Sequence, residues 1–237
     1  MLPKLSVVIL CYKAGRDVRK YVEEAVDCLD KEIDSWQIVL VGNYLQGETD
    51  ITPQVVQEIA EANDRIVAVT KVKEGMMGWD VRSGFVEATG GVVALIDGDG
   101  QMAFRDVIHA YRVLEKENCD IVTTYRVERY DGCYRFLVSR VYNLIFRIFF
   151  GGLQVRDINS KPKLITRSAY NRLDLKSNDW FIDAEIMIQA RRLRLKIREI
   201  SVVFYDLKTR RSFVRVPAIL EFIKNLLLAR IKEFIAR

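Results

Sequence analysis

Four short apolar runs constrain the architecture more than any other feature: Leu5-Ser-Val-Val-Ile-Leu-Cys11, Trp36-Gln-Ile-Val-Leu-Val41, Ile66-Val-Ala-Val-Thr70 and Gly91-Val-Val-Ala-Leu-Ile96. Each is rich in β-branched residues and lacks a regular polar alternation, as a strand covered on both faces does. Helical spacings lie between them. Apolar residues recur at Val18, Tyr21, Val22, Ala25, Val26 and Leu29 within 16–29, Thr52-Pro53 opens a helix that runs to Glu61, and residues 80–88 supply another. Further on, a strand over 120–125, a helix carrying residues 135–150, a helix opening within Asp179-Trp-Phe-Ile-Asp183-Ala-Glu185 and a strand over 196–204 continue the pattern. Strands alternating with helices predict an α/β fold around a mostly parallel sheet flanked by helices.

With 50% hydrophobic and 29% charged residues in 237, the chain has material for a full core in one or two domains. The single histidine, His109, excludes multi-histidine zinc sites and weighs against a Ser-His-Asp arrangement. Four cysteines without a C-x-x-C pair suggest no disulfide scaffold and fit a reducing cytosol. Chemistry must therefore rest on carboxylates, amides and cations. No stretch approaches about 18 uninterrupted apolar residues, so neither a membrane span nor a signal peptide is expected.

The net charge of +5 is uneven, because Lys208 to Arg237 alone carries +6 and residues 1–207 carry −1. Residues 213–237 read as one amphipathic helix with Ile219, Phe222, Ile223, Leu226, Leu227, Ile231 and Phe234 on a stripe and Lys224, Arg230, Lys232 and Arg237 elsewhere. This divides the chain into a domain over 1–212 and a C-terminal helix over 213–237. The helix reads either as a cover for the domain or a dimer contact, or as a membrane-surface helix; Val141 to Phe150, dense in aromatics, has the same two readings. Basic residues interleaved with an apolar stripe, without a nucleic-acid-binding motif, argue against a nucleic-acid partner.

In open α/β sheets the ligand crevice lies beyond the carboxyl ends of the strands. The fourth run ends directly in Asp97-Gly98-Asp99-Gly100-Gln101. Extended, this segment points residues 97, 99 and 101 to one face, where two carboxylates and an amide suit Mg²⁺ or Mn²⁺. The alternative is a glycine-rich turn whose aspartates hydrogen-bond their own backbone.

Here the sequence resembles a family. Val7-Val8-Ile9-Leu10-Cys11-Tyr12-Lys13 is similar to the opening strand and tyrosine of family 2 glycosyltransferases, the inverting GT-A fold enzymes that use nucleotide-sugars. Gly78, Gly84, Ala88 and Gly90 resemble the G-x5-G-x3-A-x-G approach to the D-x-D of dolichyl-phosphate and polyprenyl-phosphate mannose synthases, and Asp97, Asp99 and Gln101 match that D-x-D and its metal-binding glutamine. The resemblance covers about residues 5–213. It implies a nucleotide-sugar donor met by Tyr12, Gly78, Asp97 and Arg211, with Asp97 and Asp99 carrying the catalytic metal. It implies a lipid phosphate acceptor held by Arg126 and by the Arg135/Ser139 pair on the next helix, a trio whose other reading is a solvated basic face.

Asp157-Ile-Asn-Ser160 resembles the segment beneath the donor sugar, although the family's Ser-Gly-Phe is here Ser160-Lys161-Pro162. Asp183 and Glu185 match an acidic helix start that brings a carboxylate near the acceptor, or are plain complements of the helix dipole. Glu199 matches the family's "E-x-P-V" glutamate. The Asp-Asp-Gly-Ser that normally follows the second strand is replaced by Gly42-Asn43-Tyr44, where Asn43 offers an amide to a base edge. The expected function is sugar transfer to a polyprenyl or dolichyl phosphate by a peripheral protein on the inner, cytoplasmic face of a membrane. Alternatives are a transferase with a hydroxyl acceptor and Asp183 as base, or a non-catalytic relative that binds lipid or a partner. A homo-oligomer or a membrane-protein partner is compatible with either apolar helix.

Overall fold

The computed structural model describes residues 2–129, 133–153, 155–205 and 216–235. A seven-stranded sheet forms its centre, from β1 (Leu5–Leu10), β2 (Trp36–Val41), β3 (Ile66–Val69), β4 (Val92–Asp97), β5 (Ile121–Arg129), β6 (Lys163–Thr166) and β7 (Ile197–Phe204), in the order β3-β2-β1-β4-β6-β5-β7. All neighbouring pairs are parallel except those of β6, which runs antiparallel to both β4 and β5. The reason the first strands are apolar throughout is visible in the packing. Val7, Ile9, Ile38, Leu40, Ala94 and Ile96 enter one core, and Val8, Leu10, Val39, Val41, Val93 and Leu95 enter the other.

The first core is covered by α1 (Val18–Glu32), α2 (Thr52–Glu61) and α4 (Arg105–Glu117), and the second by α3 (Met77–Glu87), α5 (Cys133–Phe149), α7 (Ile182–Arg192) and α8 (Val216–Ile235), with the short α6 (Arg167–Tyr170) after β6. The expected helix over 80–88 begins earlier, at Met77, because carbonyls of the 178–179 loop accept from Met76, Gly78 and Trp79 N–H and take over the capping of its first turn. Strand β6 was absent from the sequence reading. Its four residues open with a lysine immediately after Pro162, which hides it from a search for apolar runs.

Helix α8 does not present a single apolar stripe. Phe222 and Leu226 turn into the second core, where the Phe222 ring lies 3.7 Å from that of Tyr142 on α5, while Leu227, Leu228, Ile231 and Phe234 are exposed. Glu233 is buried on the inward side and pairs with Arg191 and with Arg230. Helix α5 is similarly two-sided, with Phe146 inside and Val141, Leu144 and Ile148 outside.

Candidate active site

The D-x-D segment sits where β4 leaves the sheet beside β1. Gly98 N–H donates to the Leu10 carbonyl at 2.8 Å, so the ladder carries one residue past the strand. A Cβ at Gly98 would lie 2.8 Å from Ile9 Cγ2, which explains a glycine there, and Gly100 turns the chain at φ +73°. Asp99 Oδ1 then accepts from Gln101 N–H at 3.0 Å. Gln101 is tied to the exit of β7, its carbonyl accepting from Tyr205 N–H at 2.9 Å and its Nε2 lying 3.4 Å from the Tyr205 carbonyl. The backbone bond of Asp99 is the one expected of a glycine-rich turn, and Asp97 and Asp99 both lie where the chain leaves the carboxyl end of β4.

Two lysines and a carboxylate stand beside that strand end. Lys161 Nζ is 3.5 Å from Asp97 Oδ1 and 3.2 Å from Asp183 Oδ2, while Lys163 Nζ is 2.6 Å from Asp183 Oδ1 and donates to the Ile158 carbonyl at 2.9 Å. Asp183 and Lys163 are fully buried and Lys161 nearly so. Burial opposes ionisation of Asp183, but the ammonium groups of Lys161 and Lys163 overcome it and hold the carboxyl below its ordinary value. Burial likewise opposes the charge on Lys161, and Asp183 and Asp97 outweigh it and hold the ammonium above the ordinary lysine value. Lys161 and Lys163 are the residues sequence reasoning missed. Two lysines at i and i+2 ahead of Leu164-Ile165 share one strand face, and that spacing was the available signal.

Glu185 does not join Asp183. Two residues along a helix are about 200° apart, and the Glu185 carboxylate instead accepts from Lys176 and Ser177 N–H at 2.9–3.1 Å. It thereby fixes the loop that caps α3. Gly78 meets the same loop rather than an open crevice. Its N–H donates to the Asp179 carbonyl at 2.9 Å, and an added Cβ would be pressed to 2.7 Å from that oxygen.

Asn43 also differs from its expected role of offering an amide to a base. Its Nδ2 donates to Asp80 Oδ1 and Ser83 Oγ, both at 2.9 Å, and its Oδ1 accepts from Lys71 N–H at 2.8 Å, all inside the protein. Asp80 pairs in turn with Lys73, whose Nζ lies 4.2 Å from the centre of the Tyr12 ring. Burial raises the Asp80 carboxyl above its usual range, partly countered by Lys73. Tyr12, half-buried at the end of β1, is therefore joined to Asn43 through Lys73 and Asp80.

Arg126, on β5, forks onto Asp157 with Nε at 2.7 Å from Oδ2 and Nη2 at 3.0 Å from Oδ1. The Asp157 loop is held from several elements at once. Glu199 Oε1 accepts from Arg156 and Asp157 N–H, Asn143 Oδ1 accepts from Ile158 N–H, and Thr124 and Ser160 share a hydroxyl contact of 2.7 Å. Burial raises the Glu199 carboxyl, with the Arg156 and Asp157 N–H groups opposing. Arg135 and Ser139 lie four residues apart in the first half of α5, hence on one face of it, and Arg211 lies outside the described residues.

Asp97, Asp99 and Gln101 supply hard oxygen donors from one short segment, and this donor set fits Mg²⁺ or Mn²⁺. Among the described residues no cluster of three or more His, Cys, Asp or Glu offers a competing metal site.

The comparisons with known proteins bear on the fold and the family. The model of glycosyl transferase family 2 matches residues 6–176. A dolichyl-phosphate beta-glucosyltransferase of Trichomonas vaginalis is 26% identical over 220 residues, covering 86% of this chain and 66% of that protein. The dolichyl-phosphate beta-glucosyltransferase of Saccharomyces cerevisiae is 26% identical over 252 residues, covering 95% and 74%. The chain thus spans about two thirds of the length of such relatives. Among solved structures, glucosyl-3-phosphoglycerate synthase from Mycobacterium tuberculosis in complex with Mn²⁺, UDP and glucosyl-3-phosphoglycerate superposes with a TM-score of 0.67 at 18% identity, covering 96% of this chain and 80% of that one. The same enzyme with phosphoglyceric acid gives 0.70. The sheet order with its structural likeness and the family match together establish that this chain has the GT-A fold and belongs to glycosyl transferase family 2.

Proposed function

We propose that this chain is an inverting, metal-dependent glycosyltransferase that moves a sugar from a nucleotide-sugar to a membrane-bound polyprenyl or dolichyl phosphate. The observation that carries the choice of acceptor is the state of Asp183. Both of its oxygens face ammonium groups in a fully buried position, so it is poorly suited to take a proton from an acceptor hydroxyl. A phosphate acceptor is ionised at neutral pH and needs no base. Its oxygen attacks the anomeric carbon, a C–O bond forms there, and the bond to the donor's terminal phosphate oxygen breaks on the opposite face. The nucleoside diphosphate leaves with the electron pair. The dolichyl-phosphate relatives support the same acceptor class.

In this reading Asp97, Asp99 and Gln101 hold the divalent metal, which when bound offsets charge on the departing diphosphate. Tyr12 and the Asn43–Asp80–Lys73 set shape the nucleotide side, with Asn43 acting through its partners, and Gly78 keeps the start of α3 close to the 177–179 loop. Arg211, outside the described residues, is assigned to the pyrophosphate by the family resemblance alone. Arg126, held on Asp157 by a two-point fork, is assigned with Arg135 and Ser139 to the acceptor phosphate, as the family resemblance implies. Asp183 and Glu185 serve as internal supports.

Among the described residues no helix is long and apolar enough to cross a membrane. The outward faces of α5 and α8 instead display Ile148 and Phe234, 71% and 76% exposed, as a helix lying at a headgroup boundary does. We assign residues 1–212 to the transferase domain and 213–237 to a membrane-facing helix, on the cytoplasmic leaflet.

A thermal-shift screen of UDP and GDP with and without Mn²⁺ tests the donor half of the proposal. A ligand at 100 times its Kd stabilises by about 2.7 kcal/mol. One nucleotide should raise Tm in the presence of Mn²⁺ and lose that effect with EDTA; no shift with either nucleotide and metal contradicts the reading.

A further inference from the structure

We propose that Lys161 is a built-in cation that neutralises Asp97 until the donor arrives, so that the divalent metal binds tightly only together with the nucleoside diphosphate. The inference rests on the metal reading of Asp97, Asp99 and Gln101 given above and adds to it a residue outside that ligand set.

The argument is one of charge and confinement. Asp97, Lys161, Asp183 and Lys163 form a chain of alternating sign, each link 2.6–3.5 Å long. Lys163 balances Asp183, which leaves the ammonium of Lys161 to balance Asp97. Asp97, one of the two carboxylates that the D-x-D offers a metal, therefore already has a counter-charge. Lys161 is only 3% exposed, and its other close neighbour is Met77 Sδ at 3.5 Å, so its charge cannot be released to water by a simple rotation. A divalent ion that arrives without the donor meets a fixed positive charge behind one of its ligands. A diphosphate reverses this balance, because it brings negative oxygens that the ion and the ammonium can both face. This balance makes Lys161 a positioning residue for the metal.

Mn²⁺ binding to the full chain, followed by the loss of the free-ion paramagnetic resonance signal, tests the proposal without any turnover. The parent protein should bind Mn²⁺ weakly alone and more tightly with UDP or GDP. Lys161→Met and Lys161→Gln should each tighten binding of Mn²⁺ alone by about tenfold, inside the span of about 5 to 150-fold usual for coupled sites. The enhancement by nucleotide should shrink by the same factor, and Lys161→Arg, which keeps the charge, should restore the weak binding of the parent. Unchanged or weaker Mn²⁺ binding in the neutral variants overturns the proposal while leaving the metal site standing. If the neutral variants do not fold, the parent alone decides: Mn²⁺ binding equally tight with and without nucleotide overturns the coupling. No Mn²⁺ binding under any condition, or binding that survives Asp99→Asn, overturns the metal reading and this inference with it.

Discussion

Asp97 and Asp183 face the same ammonium group, that of Lys161, but they sit in different media. The Asp97 side chain is 32% exposed, at the carboxyl end of β4, and Lys161 approaches it at 3.5 Å. Asp183 has no exposed surface, and a lysine stands at each of its oxygens. A carboxylate of the first kind can exchange a protein partner for a ligand. One of the second kind holds the fold together, and removing it leaves buried charge behind. The same contrast separates Asp99, whose turn needs one oxygen, from Glu185, which anchors two backbone N–H groups.

Asp183→Asn should produce the largest effect. Removing one partner of a buried pair costs about 3–5 kcal/mol, and here two lysines lose their counter-charge, so urea denaturation should show a stability loss in that range. A loss below 1 kcal/mol would mean that Asp183 is not the support described. Asp99→Asn should behave oppositely. Asparagine keeps an oxygen for the Gln101 N–H, so stability should stay within about 0.5 kcal/mol, as for a substitution that leaves its surroundings intact. Turnover should nevertheless fall by about 10²–10³, the usual cost of losing one electrostatic stabiliser. A variant with parental turnover would remove the basis for the contrast.

The pH dependence sharpens the same comparison. The Asp183 carboxyl is held below its ordinary value of 3.8, so its contribution is complete above that value and is lost as pH falls through the lower value in the folded state. The Tm gap between the parent and Asp183→Asn should be flat from pH 7 down to about 5 and narrow only at more acid pH. A gap that already closes near pH 6 would place Asp183 in a different environment. The smallest effect should be at the surface. Phe234→Ala should lower binding to anionic vesicles by a few-fold, roughly what loss of one exposed aromatic side chain gives, with 1 M salt reducing binding further. Full retention of vesicle binding would move the membrane contact away from α8.

Much of the fold was legible because the sheet's first strands are buried on both faces, which leaves runs such as Val92–Asp97 with no ambiguous polar positions until the carboxylate itself. The D-x-D was legible for the same reason, since it ends a clear strand. What escaped was set by tertiary contacts. Strand β6 is too short and too polar at its start to announce itself, and the sequence does not say that it inserts antiparallel between β4 and β5. Asn43 has the right chemistry for a base edge, but Asp80, Ser83 and Lys71, brought from elsewhere in the chain, claim its amide. The Asp183 pairing depends on the start of β6 meeting the first turn of α7, so neither lysine could be matched to it from spacing alone.

The central claim, metal-dependent transfer to a lipid phosphate, is tested most directly by incubating the full chain with a radiolabelled UDP- or GDP-sugar and either a polyprenyl phosphate or the corresponding free polyprenol. The account predicts label in the lipid phosphate product, none in the free alcohol, and loss of transfer with EDTA that is restored by Mn²⁺. Label in the free alcohol, or transfer to the phosphate that persists in EDTA, would contradict it.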